Sequence, residues 1–183
     1  MTAASRPWAR EILRVWFHEL GSGDWYGGGP EVDALLRRRF AKDLARLGNR
    51  PACEFLTEPK TALAAVLLFD QIPRNLYRDD TRAYAYDPLA LAICHGILRA
   101  GWLPRFDRDE RQFALMPLMH SEDIVDQRLA VSLFAKYAPA ASPFARSHYK
   151  MIARFGRFPH RNAVLGRTSS EEEKRAIAAG FSW

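Results

Sequence analysis

Apolar side chains recur at every third or fourth position along nearly the whole chain, which is the spacing of amphipathic α-helices. No stretch shows the alternation of β-branched residues that is typical of strands. We therefore predict a single all-α domain over residues 1–183, with seven to nine helices and short connections that favour antiparallel neighbours. The pattern places helices at 7–20, 30–47, 58–71, 87–100, 107–116, 122–137, 143–155 and 171–179.

The helix predicted over 58–71 differs from the others because residues 62–69 are apolar on nearly all sides, which indicates a central, buried position. Proline lacks the amide donor that a helix interior needs. We expect Pro73 to end this helix and Pro117 to kink or break the fifth. The predicted N-caps, which are short polar residues before apolar runs, are Thr57, Asp87, Ser121 and either Ser169 or Ser170.

The charge balance is basic, with a net charge of +6 over 183 residues. Because the basic residues are scattered and their only run is 37–39, we do not predict a nucleic-acid partner, whose footprint needs clustering on one face. The longest nearly apolar run, 62–69, is far shorter than the roughly 20 residues that span a bilayer. Residues 1–7 lack the apolar stretch of a signal peptide. We therefore expect a cytoplasmic protein with no membrane partner.

Asp70 and Gln71 close the predicted central helix, and Arg74 and Asn75 follow them directly. A buried carboxylate must be paired or well hydrogen-bonded. Asp70 therefore either serves a polar site at the mouth of a helical groove or pairs with an arginine that locks the turn. In the second case Asn75 would satisfy backbone groups exposed at the helix end. A similar proline and Arg-Asn pair recurs in a distant segment, and the two segments are FDQIPRN (69–75) and GRFPHRN (156–162).

His120 stands beside a second polar block, Ser121, Glu122 and Asp123. Histidine titrates near neutral pH, so His120 is a candidate general acid or base. The alternative is a capping segment in which Ser121 caps the next helix and the two acids lie in its first turn. The sequence contains neither a His-x-x-x-His nor a Glu-x-x-His pattern, and no metal site is predicted.

The third block is the densest cationic segment of the chain. Such a density suits a phosphate or carboxylate group. The alternative is a structural corner whose arginines pair with Asp70, Glu122 or Asp123. Both interpretations remain open, and the candidate ligand-binding residues of this block are Arg157, His160, Arg161 and Asn162, flanked by Arg154 and Arg167.

Aromatic residues cluster near the N-terminus, where Trp16 lies on a predicted helix and Trp25 and Tyr26 lie in a Gly-rich stretch, 21–29. They could wall a ligand pocket. We favour a core position for Trp16 and leave Trp25 open. Phosphate-loop, dinucleotide-binding and nucleophile-elbow motifs are missing from the sequence, and the two cysteines form neither a metal motif nor a disulfide framework. No cofactor is predicted.

Several blocks together resemble a bacterial family catalogued as domain of unknown function 924. The resemblance covers nearly the whole chain and keeps the blocks in order. It implies a fold similar to the tetratricopeptide-like superfamily, in which antiparallel helix pairs stack in a right-handed array. It implies no activity, since none is established for the family, and so no catalytic residue is carried over. The blocks are VWF (15–17), DWY (24–26), LFDQIPRNLYR (68–78), DPLA (87–90), PLMHSED (117–123) and RFGRFPHRNAVLGR (154–167). Tyr26 stands where the family suggests Phe.

Our leading hypothesis is a helical-array protein that binds an anionic small molecule or peptide group in a concave polar site formed by the three blocks. Arg74, Arg157 or Arg161 would recognise the anion. An alternative is a small-molecule hydrolase or lyase that uses His120 or His160 as acid and base with Asp70 as orienter. A protein-interaction scaffold is a third alternative, and a homodimer stays open. The candidate ligand-binding residues are Asp70, Gln71, Arg74, Asn75, His120, Arg157, His160, Arg161 and Asn162.

Overall fold

The computed structural model describes residues 6–26 and 28–181, and these residues contain helices and loops but no β-strand. The all-α prediction is confirmed for this part of the chain. Short 3₁₀ turns connect several helices, and two helices continue into π-helical turns. The α-helices are α1 (Pro7–Arg14), α2 (Ser22–Tyr26), α3 (Pro30–Leu47), α4 (Pro59–Val66), α5 (Ile72–Leu76), α6 (Asp87–Arg99), α7 (Arg108–His120), α8 (Ile124–Tyr137), α9 (Ser142–Phe155) and α10 (Glu171–Ala178).

The fold groups into two compact units that divide between Ala114 and Leu115, within α7. We refer to the part up to Ala114 as the first unit and to the part from Leu115 as the second unit. The single domain over 1–183 stays a prediction. In the described ranges, no helix combines the length and the apolar character that a membrane crossing requires. Residues 1–5, on which the expected absence of a signal peptide partly rests, lie outside those ranges.

The centre of the first unit is α4, and its burial confirms the prediction from its uniformly apolar sequence. Every side chain from Ala62 to Phe69 has an exposed fraction of 0%. Helices α1 and α6 both pack against α4. The tight packing holds the C-terminal end of this helix, and with it Asp70, in one position.

The central helix does not end at Pro73, so that prediction is wrong. Its backbone widens into a π-helical turn over Leu67–Gln71 and then continues as α5, with Pro73 in the first turn. A π turn inserts one extra residue into the ladder of hydrogen bonds. Pro73 therefore occupies a position at which its missing amide proton is tolerated. The amide of Tyr77 still donates to the carbonyl oxygen of Pro73 at 2.9 Å.

Pro117 also lies inside a helix, because α7 passes through it and ends at His120. The fifth helix is thus longer than predicted, and it carries His120 in its last turn. Asp107 precedes this helix, and its Oδ1 accepts from the amide of Glu110 at 2.9 Å. The prediction that Asp107 opens the helix is consistent with this bond.

Three predicted N-caps are wrong by one or two residues. Asp123, and not Ser121, caps α8, because its Oδ1 accepts from the amide of Val125 at 2.6 Å. Ser170, one of the two residues predicted for this position, caps α10 in a reciprocal capping box with Glu173. The observed caps Glu58, Tyr86 and Asp123 stand where Thr57, Asp87 and Ser121 were predicted.

The N-terminal aromatic residues pack within the first unit. Trp16 is 2% exposed, which confirms the core prediction, and its ring centroid lies 5.4 Å from that of Phe113. The π-helical turn Val15–Glu19 contains Trp16, whose carbonyl oxygen accepts from Trp25 Nε1 at 2.8 Å. The Gly-rich stretch 21–29 is not only a loop, because it contains the short helix α2.

In the second unit α8 and α9 pack against each other, and a small core joins α9 to α10. Phe158, in the loop after α9, is 0% exposed and belongs to this core together with Met151, Ile152 and Ala176. Because Phe158 is fixed by this packing, the polar side chains around it have a rigid support.

Candidate functional site

Asp70 lies in the first unit with an exposed fraction of 0%. The π-helical turn carries it, and the neighbouring Gln71 donates from Nε2 to its Oδ2. Arg74 donates to the backbone oxygen of Asp70 and places Nη1 3.7 Å from its Oδ1. The buried carboxylate therefore has the polar and charged partners that its burial requires.

Arg74 is held by a second carboxylate, Asp87, in the first turn of α6. Two parallel hydrogen bonds of 2.9 and 3.0 Å join its guanidinium to Asp87, and the ring of Tyr84 lies 5.6 Å from it. Burial lowers the pKa of Arg74, but the charges of Asp70 and Asp87 raise it by more. The fork of Arg74 is thus engaged inside the chain, which favours a locking role. Its recognition of an external anion stays a prediction that this geometry does not favour.

Asn75 also joins parts of the first unit. Its Nδ2 donates to the backbone oxygen of Gln71 at 3.2 Å, and its Oδ1 accepts from Arg78 at 3.2 Å. Arg78 in turn donates two hydrogen bonds of 2.6 and 2.9 Å to Asp33 on α3. Gly28 has a left-handed φ of 49°, and a Cβ there would lie 2.5 Å from Arg78 Nη2. These contacts agree with the helix-locking interpretation of Asn75.

In the second unit, the block around His120 and the Arg-rich block come together through Glu122. Its carboxylate accepts two hydrogen bonds from Arg167, of 2.8 and 3.0 Å, and one from the amide of Phe158 at 2.8 Å. Burial raises the pKa of Glu122, but the bonds from Arg167 and Phe158, with the charge of Arg161, lower it by more. Glu122 is therefore a charged residue that joins Arg167 to the backbone of Phe158. It lies before the first residue of α8, so the prediction that it lies in the first turn of this helix is wrong.

Arg157 makes a second internal pair. Its guanidinium donates to both carboxylate oxygens of Glu173, at 2.7 and 3.0 Å, and to the backbone oxygen of Thr168 at 2.9 Å. Hydrogen bonding from Arg157 is the largest influence that lowers the pKa of Glu173, to about 2. Asn162 lies beside this pair, is 0% exposed and donates to Ser169 Oγ at 3.0 Å. Arg157 and Asn162 thus build the corner between α9 and α10.

Two imidazoles and one guanidinium lie near the ring of Phe158, and a third imidazole lies beside one of them. The guanidinium carbon of Arg161 lies 4.6 Å from the centroid of the phenyl ring, and the rings of His148 and His160 lie 5.4 and 5.7 Å from it. The ring of His120 lies 6.1 Å from that of His148. His148 and Arg161 are only 4% and 6% exposed, whereas His120 and His160 are half-buried. We call these four residues the His–Arg cluster.

His148 is the member of the His–Arg cluster that sequence reasoning missed. It lies on the buried face of α9, where it follows the spacing of Ala145, Met151 and Ile152. In the sequence it belongs to an apolar stripe and stands far from the three polar blocks. The one available signal was an imidazole at a core position of an amphipathic helix.

The charge state of His148 follows from its surroundings. Burial lowers its pKa most, and the positive charges of His120, Arg161 and His160 lower it further, to about 3. Nδ1 lies 2.9 Å from the backbone oxygen of Phe144, one helical turn earlier. His148 is therefore a neutral imidazole among side chains that carry or can take up positive charge.

An open depression of about 460 Å³ also lies in the second unit, with Glu122, Asp123 and Ile152 in its lining. Both carboxylates are already engaged, Glu122 with Arg167 and Asp123 with the cap of α8. Among the residues that the structure describes, no group of three metal-ligating side chains is arranged to hold a metal ion.

The predicted site residues fall into separate sets. His120, His160 and Arg161 belong to the His–Arg cluster, and Arg157 and Asn162 to the adjoining corner. The other four, which are Asp70, Gln71, Arg74 and Asn75, form the polar cluster of the first unit. That all three blocks form one site stays a prediction.

The chain matches known sequences and structures along most of its length. Residues 12–180 match the model of a family described as bacterial protein of unknown function, DUF924. A solved structure of a protein of unknown function from Agrobacterium tumefaciens is 32% identical, with a TM-score of 0.88. The match covers 94% of this chain and 97% of that one. No curated protein matches the chain significantly.

Proposed function

We propose that this chain, which belongs to the DUF924 family of bacterial proteins of unknown function, binds a small oxyanion at its His–Arg cluster. A phosphate or carboxylate group is the chemistry that fits. The observation that carries this proposal is that His148, His160 and Arg161 lie around the buried ring of Phe158. The ring of His120 lies beside that of His148.

Arg161 is the principal recognition residue of this proposal. Its guanidinium is always charged and presents donors in a planar fork that matches an oxyanion. It is 6% exposed, and a charged hydrogen bond is stronger in such surroundings than in water. The half-buried His120 and His160 supply further donors at the same place. An anion there would offset the positive charge that this cluster concentrates.

The neighbouring ion pairs form the frame of the proposed site. Glu122 with Arg167 and Arg157 with Glu173 hold the loop on both sides of Phe158. Each of these arginines is satisfied by a carboxylate of the chain. They position the cluster, while the ligand is bound by the cluster itself.

Calorimetric titration with sodium phosphate, sulfate and acetate tests the proposal. We expect saturable binding of at least one anion to the wild-type protein. Arg161→Gln should weaken it by about tenfold or more, because a charge-assisted hydrogen bond is lost. Arg128→Gln, which removes an exposed arginine of α8, is the matched control and should bind as wild type. The proposal is wrong if no anion binds, or if the Arg161 and Arg128 variants bind equally.

A hydrolase or lyase is the second candidate function. Its support is that two half-buried histidines, His120 and His160, belong to the His–Arg cluster, because histidine is the side chain most often used as a general acid or base. The roles of His120 or His160 as acid and base belong to this candidate, whereas Asp70 lies in the first unit and its role as orienter stays a prediction. Turnover of phosphate or carboxylate esters that is lost in His160→Gln would support it, and a flat pH profile would count against it.

The proposed architecture is the tetratricopeptide-like right-handed array. Its support is the consecutive pair α8 and α9, which pack together across a short 3₁₀ turn, Pro139–Ala141. A scaffold function has less support. The large apolar side chains that are well exposed in the described ranges, which are Tyr26, Val125 and Phe144, stand at separate positions along the chain.

A further inference from the structure

The outer side of α3 is strongly basic. Between residues 37 and 46 this helix carries five cationic side chains and one carboxylate, Asp43. Arg38, Lys42 and Arg46 are exposed and follow one another at intervals of four residues. They therefore project from the same side of the helix and extend over about 12 Å along its axis. The opposite side of α3 is buried and apolar, with Leu36, Phe40, Leu44 and Leu47.

Helix α1 extends this basic surface within the first unit. Its exposed Arg10 and Arg14 are also four residues apart. Glu11 joins the two helices, because its carboxylate accepts hydrogen bonds of 2.9 and 3.0 Å from Arg14 and a further one from Arg39 on α3. The cations of both helices thus lie on one surface. We call it the basic face, and its members are Arg10, Arg14, Arg38, Arg39, Lys42 and Arg46.

Half of the basic face has no counter-charge in the chain. Arg14 and Arg39 share Glu11, and Arg46 pairs with Asp43 at 2.7 Å. Within the described ranges, by contrast, no carboxylate pairs with the remaining three members. A group of uncompensated cations creates a positive potential that attracts an anionic partner. The three are Arg10, Arg38 and Lys42.

The composition of the basic face indicates which polyanion fits it. The large apolar side chains that are well exposed in the described ranges lie outside α1 and α3. A single-stranded nucleic acid is bound through aromatic stacking, and a membrane surface through inserted apolar side chains. A duplex instead presents a dense row of phosphates, and the arginine guanidinium matches phosphate geometry.

We propose that the basic face binds the phosphate backbone of a double-stranded nucleic acid without reading its sequence. The sequence alone did not predict this partner, because its basic residues are scattered along the chain. The Glu11–Arg39 contact brings the cations of α1 beside those of α3, and clustering on one face is what such a footprint needs. The basic face shares no residue with the His–Arg cluster, so this proposal does not depend on oxyanion binding there.

Fluorescence anisotropy with labelled DNA and RNA duplexes, each in two unrelated sequences, tests the proposal. Binding should be alike for both sequences, because contacts to phosphates carry no sequence information. The logarithm of the affinity should fall linearly with the logarithm of the salt concentration between about 50 and 200 mM, with a slope of about −3. This slope corresponds to one phosphate neutralised by each of Arg10, Arg38 and Lys42.

The double variant Arg38→Gln, Lys42→Gln tests the location of the bound duplex. Both side chains are exposed, so the variant should fold, and thermal unfolding checks this. Its affinity should be at least about tenfold weaker at the lowest salt concentration, and its slope should fall to about −1. The matched control is Arg128→Gln, Lys136→Gln, which removes two exposed positive charges from α8 and should keep the slope and the affinity of the wild type.

Three results would overturn the proposal. No duplex may bind even at the lowest salt concentration. The two double variants may lose affinity equally, in which case the net charge of the chain, and not the basic face, attracts the duplex. Vesicles that contain phosphatidylserine may bind the wild type but not the Arg38→Gln, Lys42→Gln variant, while duplexes do not bind, which would make the basic face a membrane contact.

Discussion

His148 Nδ1 donates to the backbone oxygen of Phe144 at 2.9 Å. The imidazole of His148 is neutral in the folded chain. Burial, reinforced by His120, Arg161 and His160, lowers its pKa from 6.5 to about 3. Between these values the unfolded chain takes up a proton that the folded chain does not. The free energy of unfolding should therefore decrease as the pH is lowered through this window, by at most about 1.4 kcal/mol per pH unit.

Urea unfolding at about pH 7, 6 and 5 measures this dependence, if wild type is compared with His148→Asn at each value. Carboxylates contribute equally to both proteins, so that the difference isolates His148. The wild type should lose stability more steeply than the variant below about pH 6.5. Identical slopes would show that the folded ring titrates normally.

The pair Arg74–Asp87 should stabilise the first unit more than the pair Arg78–Asp33. Both pairs are bidentate, but the Arg74 side chain is 22% exposed and that of Arg78 is 50% exposed. Asp87→Asn leaves Arg74 with a weaker partner in the interior and should cost about 2 kcal/mol. Asp33→Asn, at the more exposed pair, should cost less than about 1 kcal/mol. Equal losses in urea unfolding would contradict the difference in burial as the cause.

Glu122→Gln should destabilise the second unit by about 2 kcal/mol, because it removes the negative charge to which Arg167 and the amide of Phe158 donate hydrogen bonds. Glu171→Gln, at an exposed pair with Lys174, is the control and should change stability by less than about 0.5 kcal/mol. Since the folded pKa of Glu122 lies below 4.5, the wild-type advantage should be complete above pH 4.5 and should vanish as the pH falls through the folded value. A constant difference down to strong acid would contradict this assignment.

The helices were predictable because their signals are local. The bounds 30–47 of α3 follow from Pro30 and the apolar period, and the N-cap of α10 was narrowed to Ser169 or Ser170 by the acidic residues that follow them. The continuation through Pro73 was not predictable, because the π turn before it depends on how the buried helix packs. Tertiary packing overrode the local signal of proline there.

The candidate site was predictable only in part. His120, His160 and Arg161 were found because they stand in dense polar blocks. His148 was missed because its neighbours in the sequence are those of a core position. The place of Arg157 in the corner with α10 could not be read from the sequence either, because Glu173, which pairs with it, lies on a different helix.

Variants of Arg157 and Arg161 therefore distinguish an arginine that supports the proposed site from an arginine that binds the ligand. Arg157 donates two bonds to Glu173, whereas the Arg161 guanidinium lies over Phe158 in the His–Arg cluster. Arg157→Gln should lower the melting temperature and leave the affinity for the bound oxyanion within about twofold of wild type, because a hydrogen bond to the ligand is not lost. Arg161→Gln should lower that affinity by about tenfold or more. Thermal unfolding and calorimetric titration of both variants measure the two effects. If Arg157→Gln instead loses affinity as strongly as Arg161→Gln, the ligand is bound at the corner with α10, and the assignment of Arg157 to the frame is wrong.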